Sequence, residues 1–333
     1  MQQRRADRVA ETVAELIEAY LEKWARPRKR SAAEDERILK KDVIPAWGRC
    51  KAEDIVRRDV IALLDKIVDR GSPIAANPTL AVIRRMFGWA LSRDTIPASP
   101  CVAVKAPAKE SRRDRVLNAN EIAALWRALD APLRQKRQER QEGDSDAGIA
   151  MSKPIRLALK LQLVTAQRKD EVINAEWRDF DLVEGVRTIR GEKAKNGLPH
   201  RVPLAPLALA LLDEIGGDRT GWLFQSPRSH GPIGDQSVDH AMRRDLATIG
   251  IGDATPHDLR RTAASHMTSI GISRRVVSKI LNHAEPGVTA VYDRHSYDFE
   301  KRAALIAWSE RLLEIIGVRP VQLRVVPLRR AAE

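Results

Sequence analysis

Four stretches in the second half of this 333-residue chain gather chemistry-capable side chains in apolar surroundings. They are 165–171 (TAQRKDE), 193–197 (KAKNG), 255–262 (TPHDLRRT) and 281–292 (LNHAEPGVTAVY). In the third, Thr255 and Asp258 have capping-box spacing, and Pro256 suits the first helical position. His257 then falls in the first turn, beside free backbone N–H groups and the positive end of the helix dipole, where a phosphate is welcome. Arg260, three residues on, shares its face. A histidine and an arginine so placed can hold one phosphate and move a proton beside it. Each residue also has a plainer use. His257 and Arg260 can decorate a surface, and Arg168 can pair locally with Glu171. Lys195 can be a solvated turn residue, His283 a satisfied helix end and Tyr292 a core side chain. The joint occurrence, in this order in a basic chain, points to chemistry.

Charge supports a polyanionic partner. There are 58 Lys+Arg against 45 Asp+Glu, a formal net charge of +13, and each cation docked on a phosphate releases condensed counterions. No run approaches ~18 apolar residues, which excludes a membrane-spanning helix, and residues 1–25 lack a secretory h-region. Cys50 and Cys101 give neither a disulfide framework nor a CxxC knuckle, and the seven histidines show no ligand spacing. The expectation is a cytoplasmic protein with no metal or cofactor. Of three tyrosines, Tyr20, Tyr292 and Tyr297, two lie five residues apart near the C-terminus.

The elements that must position these residues follow from periodicity and breakers. Residues 9–25, 34–43, 57–69 and 78–92 repeat apolar positions at helical spacing. Pro27 with Arg28, Lys29 and Arg30 should end the first helix, and Pro45 with Gly48 the second. Gly71 and Pro73 should stop the third, and Asn77 should cap the fourth with Pro78 in its first turn. Residues 95–117 are rich in proline, lysine and arginine and read as an interdomain linker, solvated or crossing a DNA backbone. A second domain then opens with a helix at 118–129 capped by Asn118 or Asn120, a charged exposed stretch at 134–146 and an apolar helix at 154–167. Strands at 186–190 and 199–204 flank an Asn196-Gly197 hairpin turn. A helix at 206–215 and a strand at 222–225 follow. From 235 to 316 the pattern is helical, broken at 250–255, at Gly271 and at Pro286–Gly287. The fold class expected is mainly α with a small antiparallel β-sheet. Its domains are a helical unit over 1–105, a basic linker over 106–117, a second domain over 118–317 and a tail over 318–333.

The ordered set resembles the tyrosine recombinases, the phage integrase family, over nearly the whole chain. The family's Thr-Gly-x-Arg-x-x-Glu motif corresponds to Thr165-Ala166-Gln167-Arg168-Lys169-Asp170-Glu171. Its hairpin lysine corresponds to Lys195, followed by Val202-Pro203-Leu204. His-x-x-Arg is His257-Asp258-Leu259-Arg260. Leu-Gly-His corresponds to Leu281-Asn282-His283, with Tyr292 nine residues later. The Phe87-Gly88-Trp89-Ala90 stretch lies near the end of what resembles the family's core-binding domain. The resemblance implies a site-specific recombinase that cuts and rejoins DNA through a 3′-phosphotyrosine ester, without metal or ATP.

In those roles the Tyr292 hydroxyl attacks phosphorus and keeps the bond energy. Arg168 and Arg260 clamp the non-bridging oxygens. Lys195 protonates the leaving 5′-oxygen. His257 assists proton transfer, His283 bonds a phosphate oxygen and Glu171 supports the site. Tyr297, about 500° around a helix from Tyr292, points elsewhere. The implied partners are double-stranded DNA with att- or core-type sites, other copies in a homotetramer and an accessory directionality factor. Ala166 and Asn282 stand where the family usually has glycine. No arm-binding domain is visible ahead of the core-binding segment, and the tail at 318–333 is expected to dock on a neighbouring subunit or fray. A type IB-like topoisomerase and a DNA-binding regulator without catalysis are the rival functions.

Overall fold

A computed structural model describes residues 12–109, 113–131, 148–194, 196–283 and 295–318. The charged stretch 134–146, the Pro286–Gly287 break, Lys195, Tyr292 and the tail beyond Val318 lie outside them. The chain divides into two compact units, Met1–Arg112 and Arg113–Glu333, each with its own apolar core.

The first unit is helical. Helix α1 (Val13–Tyr20) starts at Thr12, whose hydroxyl takes the Glu15 N–H while the Glu15 carboxylate takes the Thr12 N–H. It buries Val13, Leu16, Ile17 and Tyr20. A wide π turn (Leu21–Ala25) and a last turn (Arg26–Arg28) prolong it through Pro27. Helix α2 (Ala32–Ile38) repeats the device, with a π turn (Leu39–Val43) ahead of a final turn (Ile44–Trp47) holding Pro45. Pro45 therefore lies inside this helix, and the closure falls at Gly48, the other residue expected to end it. A proline ring collides with the carbonyl four residues back in an α-helix and cannot donate to it; a wide turn just before it makes room. At Pro27 the stranded Lys23 carbonyl accepts from the Arg28 guanidinium at 3.0 Å.

Helix α3 (Arg57–Asp69) has the predicted bounds, and Gly71 follows at φ +82°. Helix α4 (Pro73–Ser92) begins earlier than expected, with Ser72 at its cap position and Pro73 in its first turn. Asn77 is no cap. Its side chain lies in the helix and forms a two-way amide pair with the Ala108 backbone, at 2.8 and 3.1 Å. Ile96, Cys101 and Val104 complete this unit's core.

The second unit takes up the chain at Arg113. Leu117 donates to Thr262 Oγ1 at 2.9 Å, and its carbonyl accepts from His266 Nε2 at 3.0 Å. Arg113 and Arg115 are engaged with Asp253, Asp258 and Glu121 rather than lying free for a DNA backbone. Helix α5 (Ala119–Asp130) has Asn118 as its cap, with Glu121 closing the box. Helix α6 (Lys153–Thr165) is buried nearly all round, so it forms the spine of the unit. Helix α7 (Lys169–Ile173) follows after one turn.

A three-stranded antiparallel sheet comes next, β1 (Phe180–Asp181), β2 (Val186–Ile189) and β3 (His200–Pro203), in the order β1-β2-β3. Ile189 pairs with His200, so a ten-residue loop joins β2 to β3. Asn196 and Gly197 lie in this loop between the two strands, as expected; only Gly197 takes a positive φ, so the pair does not form a type I′ turn. The expected strand at 222–225 reduces to two isolated bridges. Helices α8 (Pro206–Ile215), α9 (Asp235–Ile249), α10 (Pro256–Ser269), α11 (Arg274–Ile280) and α12 (Asp298–Ile316) follow among the described residues. Trp308 of α12 is fully buried and donates to the Leu163 carbonyl at 2.9 Å, fixing the end of α6.

Candidate active site

The turn after α6 is sharp because Ala166 takes the left-handed conformation, φ +54°, where the related motif has glycine. A non-glycine residue there costs about 1 kcal/mol. The turn places Arg168 at the start of α7. Glu171, 7% exposed, accepts from Arg168 Nη1 at 2.7 Å and from its backbone N–H at 3.1 Å. The local salt bridge and the supporting carboxylate foreseen in the sequence are thus one contact. From behind, the fully buried Arg187 of β2 donates to Gln167 Oε1 at 2.7 Å and to the Glu171 carbonyl at 2.5 Å.

Helix α10 begins as its sequence predicts. Asp258, fully buried, accepts from the Thr255 N–H and hydroxyl, both at 2.8 Å, and from Arg113 and Arg261 at 2.8 and 2.7 Å. Burial pushes its carboxyl upward, but these bonds hold it below the usual range. Two residues on, Arg260 is 4% exposed. It donates to the Ala166 carbonyl at 2.8 Å and to the Leu281 carbonyl. Among the described residues no carboxylate lies within ion-pair distance of it. Burial first, and then the nearby Arg168, push it down to about 10, so it remains a cation at neutral pH.

Three successive carbonyls at the end of α11 are taken from three directions. Ile280 accepts from His200 Nε2 of β3 at 3.1 Å, Leu281 from Arg260 of α10, and Asn282 from Arg168 Nη2 at 3.4 Å. A helix C-terminus leaves such carbonyls unpaired and carries partial negative charge, so it suits donors of this kind, the arginines above all. Because a carbonyl only accepts, the His200 proton sits on Nε2. Burial above all holds this histidine down at about 4.

Arg168, His257, Arg260 and His283 line one open cavity of about 980 Å³, together with Asn196, Arg261 and Asn282. His257 and His283 are both held below the usual imidazole range, first by burial and then by the surrounding arginines, so both are neutral at pH 7. Four of the six residues singled out as catalytic are thus brought together; Lys195 and Tyr292 lie outside the described residues. Tyr297 is elsewhere. It precedes α12 at φ +56°, 9% exposed, with Arg275 and Lys279 over its ring and His295 edge-on at 4.6 Å. Sequence reading gave no site role to Asn196, Arg261 or Arg113. Asn282 stood out only as a substitute for glycine, and its φ of +47° accounts for that.

The model of the phage integrase central domain matches residues 9–106, and that of the phage integrase family matches residues 144–298. The chain belongs to the phage integrase family. Among relatives, this family member is 26% identical over 285 residues to prophage integrase IntZ of Escherichia coli (strain K12), covering 84% of this chain and 65% of IntZ. It is 28% identical over 219 residues to tyrosine recombinase XerC of Xanthomonas axonopodis pv. citri (strain 306), covering 64% of this chain and 65% of that protein. The chain thus spans about 65% of the length of these two relatives. Its fold matches a lambda integrase (75–356) dimer bound to a COC′ core site, with TM-score 0.63 and 21% identity over 82% of this chain and 96% of that one. It also matches the Tn1549 transposon integrase (aa 82–397) in complex with circular intermediate DNA, with TM-score 0.59 and 16% identity over 88% and 98%. Among the described residues no helix is long and apolar enough to cross a membrane.

Proposed function

We propose that this chain is a site-specific DNA recombinase that cleaves and rejoins strands through a 3′-phosphotyrosine ester on Tyr292. The observation that carries this is the convergence of two guanidiniums and two neutral imidazoles on one cavity, with a buried arginine that donates to two backbone carbonyls. Arg168 and Arg260 bind the non-bridging oxygens of the scissile phosphate and stabilise the extra negative charge of the pentacoordinate transition state. A neutral His257 can take up the tyrosine proton, and His283 donates to a phosphate oxygen. Lys195 protonates the leaving 5′-oxygen, and the phosphotyrosine keeps the energy needed to rejoin the strand. The substrate is double-stranded DNA with a core-type site, met in the cytoplasm by four copies of the chain acting on two duplexes. An accessory protein sets direction. The segments 1–105 and 118–317 divide the work into binding and chemistry, joined by 106–117, and the tail at 318–333 docks on a neighbouring copy.

The test uses a nicked duplex selected by this protein from a randomised library. Tyr292→Phe should abolish the covalent protein–DNA adduct while leaving duplex binding nearly unchanged, and Tyr297→Phe should keep the adduct. Undiminished adduct with Tyr292→Phe would overturn the assignment. Site-independent relaxation of supercoils would point instead to a type IB-like topoisomerase. Binding without any adduct from the wild type would point to a regulator.

A further inference from the structure

The loop between β2 and β3 is tied to the cavity by a pair of amides. Asn196 Nδ2 donates to Asn282 Oδ1 at 2.9 Å and to the Asn282 carbonyl at 3.3 Å, and Asn282 Nδ2 returns a longer bond to Asn196 Oδ1 at 3.4 Å. The Asn196 amide is held the right way round, because its Oδ1 also accepts the Leu198 N–H at 3.1 Å. On the other side, Asn282 sits between Leu281, whose carbonyl meets Arg260, and His283, and its own carbonyl meets Arg168. The loop is also tight within itself. Ala194 donates to the Arg190 carbonyl at 3.0 Å and Gly197 to the Ala194 carbonyl at 3.1 Å, and Gly191 packs so closely on the Gly197 carbonyl that a Cβ there would collide.

We infer that Asn196 and Asn282 form a clasp that sets the β2–β3 loop against the arginine cavity, making them positioning residues for the proton donor carried by that loop. This rests on the proposed role of Lys195, the covalent neighbour of Asn196. A lysine on a loop is useful as a general acid only when held within hydrogen-bond reach of the leaving oxygen, and small misplacements at a reacting centre are costly. The clasp joins that requirement to the phosphate clamp: the residue that fixes the loop is the one whose carbonyl accepts from Arg168. It also gives Asn282 a purpose that a glycine could not serve. Both residues tolerate the left-handed backbone, but only asparagine brings an amide.

Asn282→Gly removes the amide and leaves the φ of +47° comfortable, so the variant should fold, as a melting curve would show. Cleavage is measured on the library-selected duplex in two forms, one with an ordinary phosphodiester and one with a 5′-bridging sulfur, whose thiolate leaves without protonation. Asn282→Gly and Asn196→Ala should each slow cleavage of the ordinary duplex about tenfold, the double variant should be no slower than either single one, and the sulfur substrate should restore near-wild-type rates. Equal slowing on both substrates, or no slowing on either, overturns the clasp. Lys195→Ala is run beside them to judge the underlying assignment separately. If its defect persists on the sulfur substrate, the lysine is not the acid, whereas the clasp still stands or falls on the ratio seen with Asn282→Gly.

Discussion

Two buried charges, Asp35 in the first unit and Arg260 in the second, are treated in opposite ways. In the first unit Asp35, 3% exposed, is enclosed by its own neighbours. It accepts from the Tyr20 hydroxyl at 2.9 Å and from Lys29 at 2.5 Å, with Arg85 at 3.6 Å. In the second unit Arg260 is as deeply buried but among the described residues meets only peptide carbonyls, and it faces a cavity shared with a second arginine. Removing a charge from water is expensive unless partners replace the lost solvation. Asp35 is compensated from within and Arg260 only in part, so the second arrangement leaves positive potential for an anion from outside. A charge that folding alone would not favour marks where the molecule works.

This contrast can be broken at its strongest point by Arg260→Met, which keeps much of the apolar volume. Adduct formation on the selected duplex should fall by about a thousandfold or more, the scale of an arginine that stabilises phosphoryl-transfer charge. The melting temperature should hold or rise, because a costly buried cation is gone. A large loss of stability with little loss of rate would reverse the comparison. Asp35→Ala should do the opposite. It strands Lys29 and the Tyr20 hydroxyl and should destabilise the first unit by about 3 kcal/mol in urea unfolding, with adduct chemistry following only as folding is lost.

The smallest effect concerns pH. His200 is buried and neutral, near 4 in the folded chain against an ordinary 6.5. Between those values the unfolded chain binds the extra proton, so stability from this residue is present above pH 6.5 and is lost as pH falls. About 2 kcal/mol should disappear by pH 5. His200→Gln can keep a donor to the Ile280 carbonyl but cannot titrate, so its unfolding free energy should fall less steeply than that of the wild type from pH 7 to 5. Parallel slopes would show that His200 is not the group responsible.

Much of this was legible beforehand because periodicity and capping are local. Arg57–Asp69 and Pro206–Ile215 have the bounds their apolar spacing predicts, and Thr255, Pro256 and Asp258 start α10 as their chemistry dictates. Prolines were less informative. Pro45 and Pro78 read as boundaries but lie inside helices, where wide turns or tertiary packing outweigh a local rule. The hairpin formed where its strands and Asn196-Gly197 predict, but the use of its loop was not legible, since Asn196 is tied to a residue 86 positions away. Of the site, the order of charged residues revealed Arg168, His257, Arg260 and His283. Asn196 and Asn282 are uncharged, and their pairing exists only in three dimensions.

The carbonyls of Ile280, Leu281 and Asn282 belong to the backbone, which has no alphabet. A change of side chain at 280 or 281 leaves His200 and Arg260 their acceptors, whereas at 282 the amide is needed as well as the carbonyl. Spacing is a different matter. Deleting a single residue within 280–282 would slide the whole row past its donors at once, so this short stretch should accept substitutions at 280 and 281 more readily than any change of length.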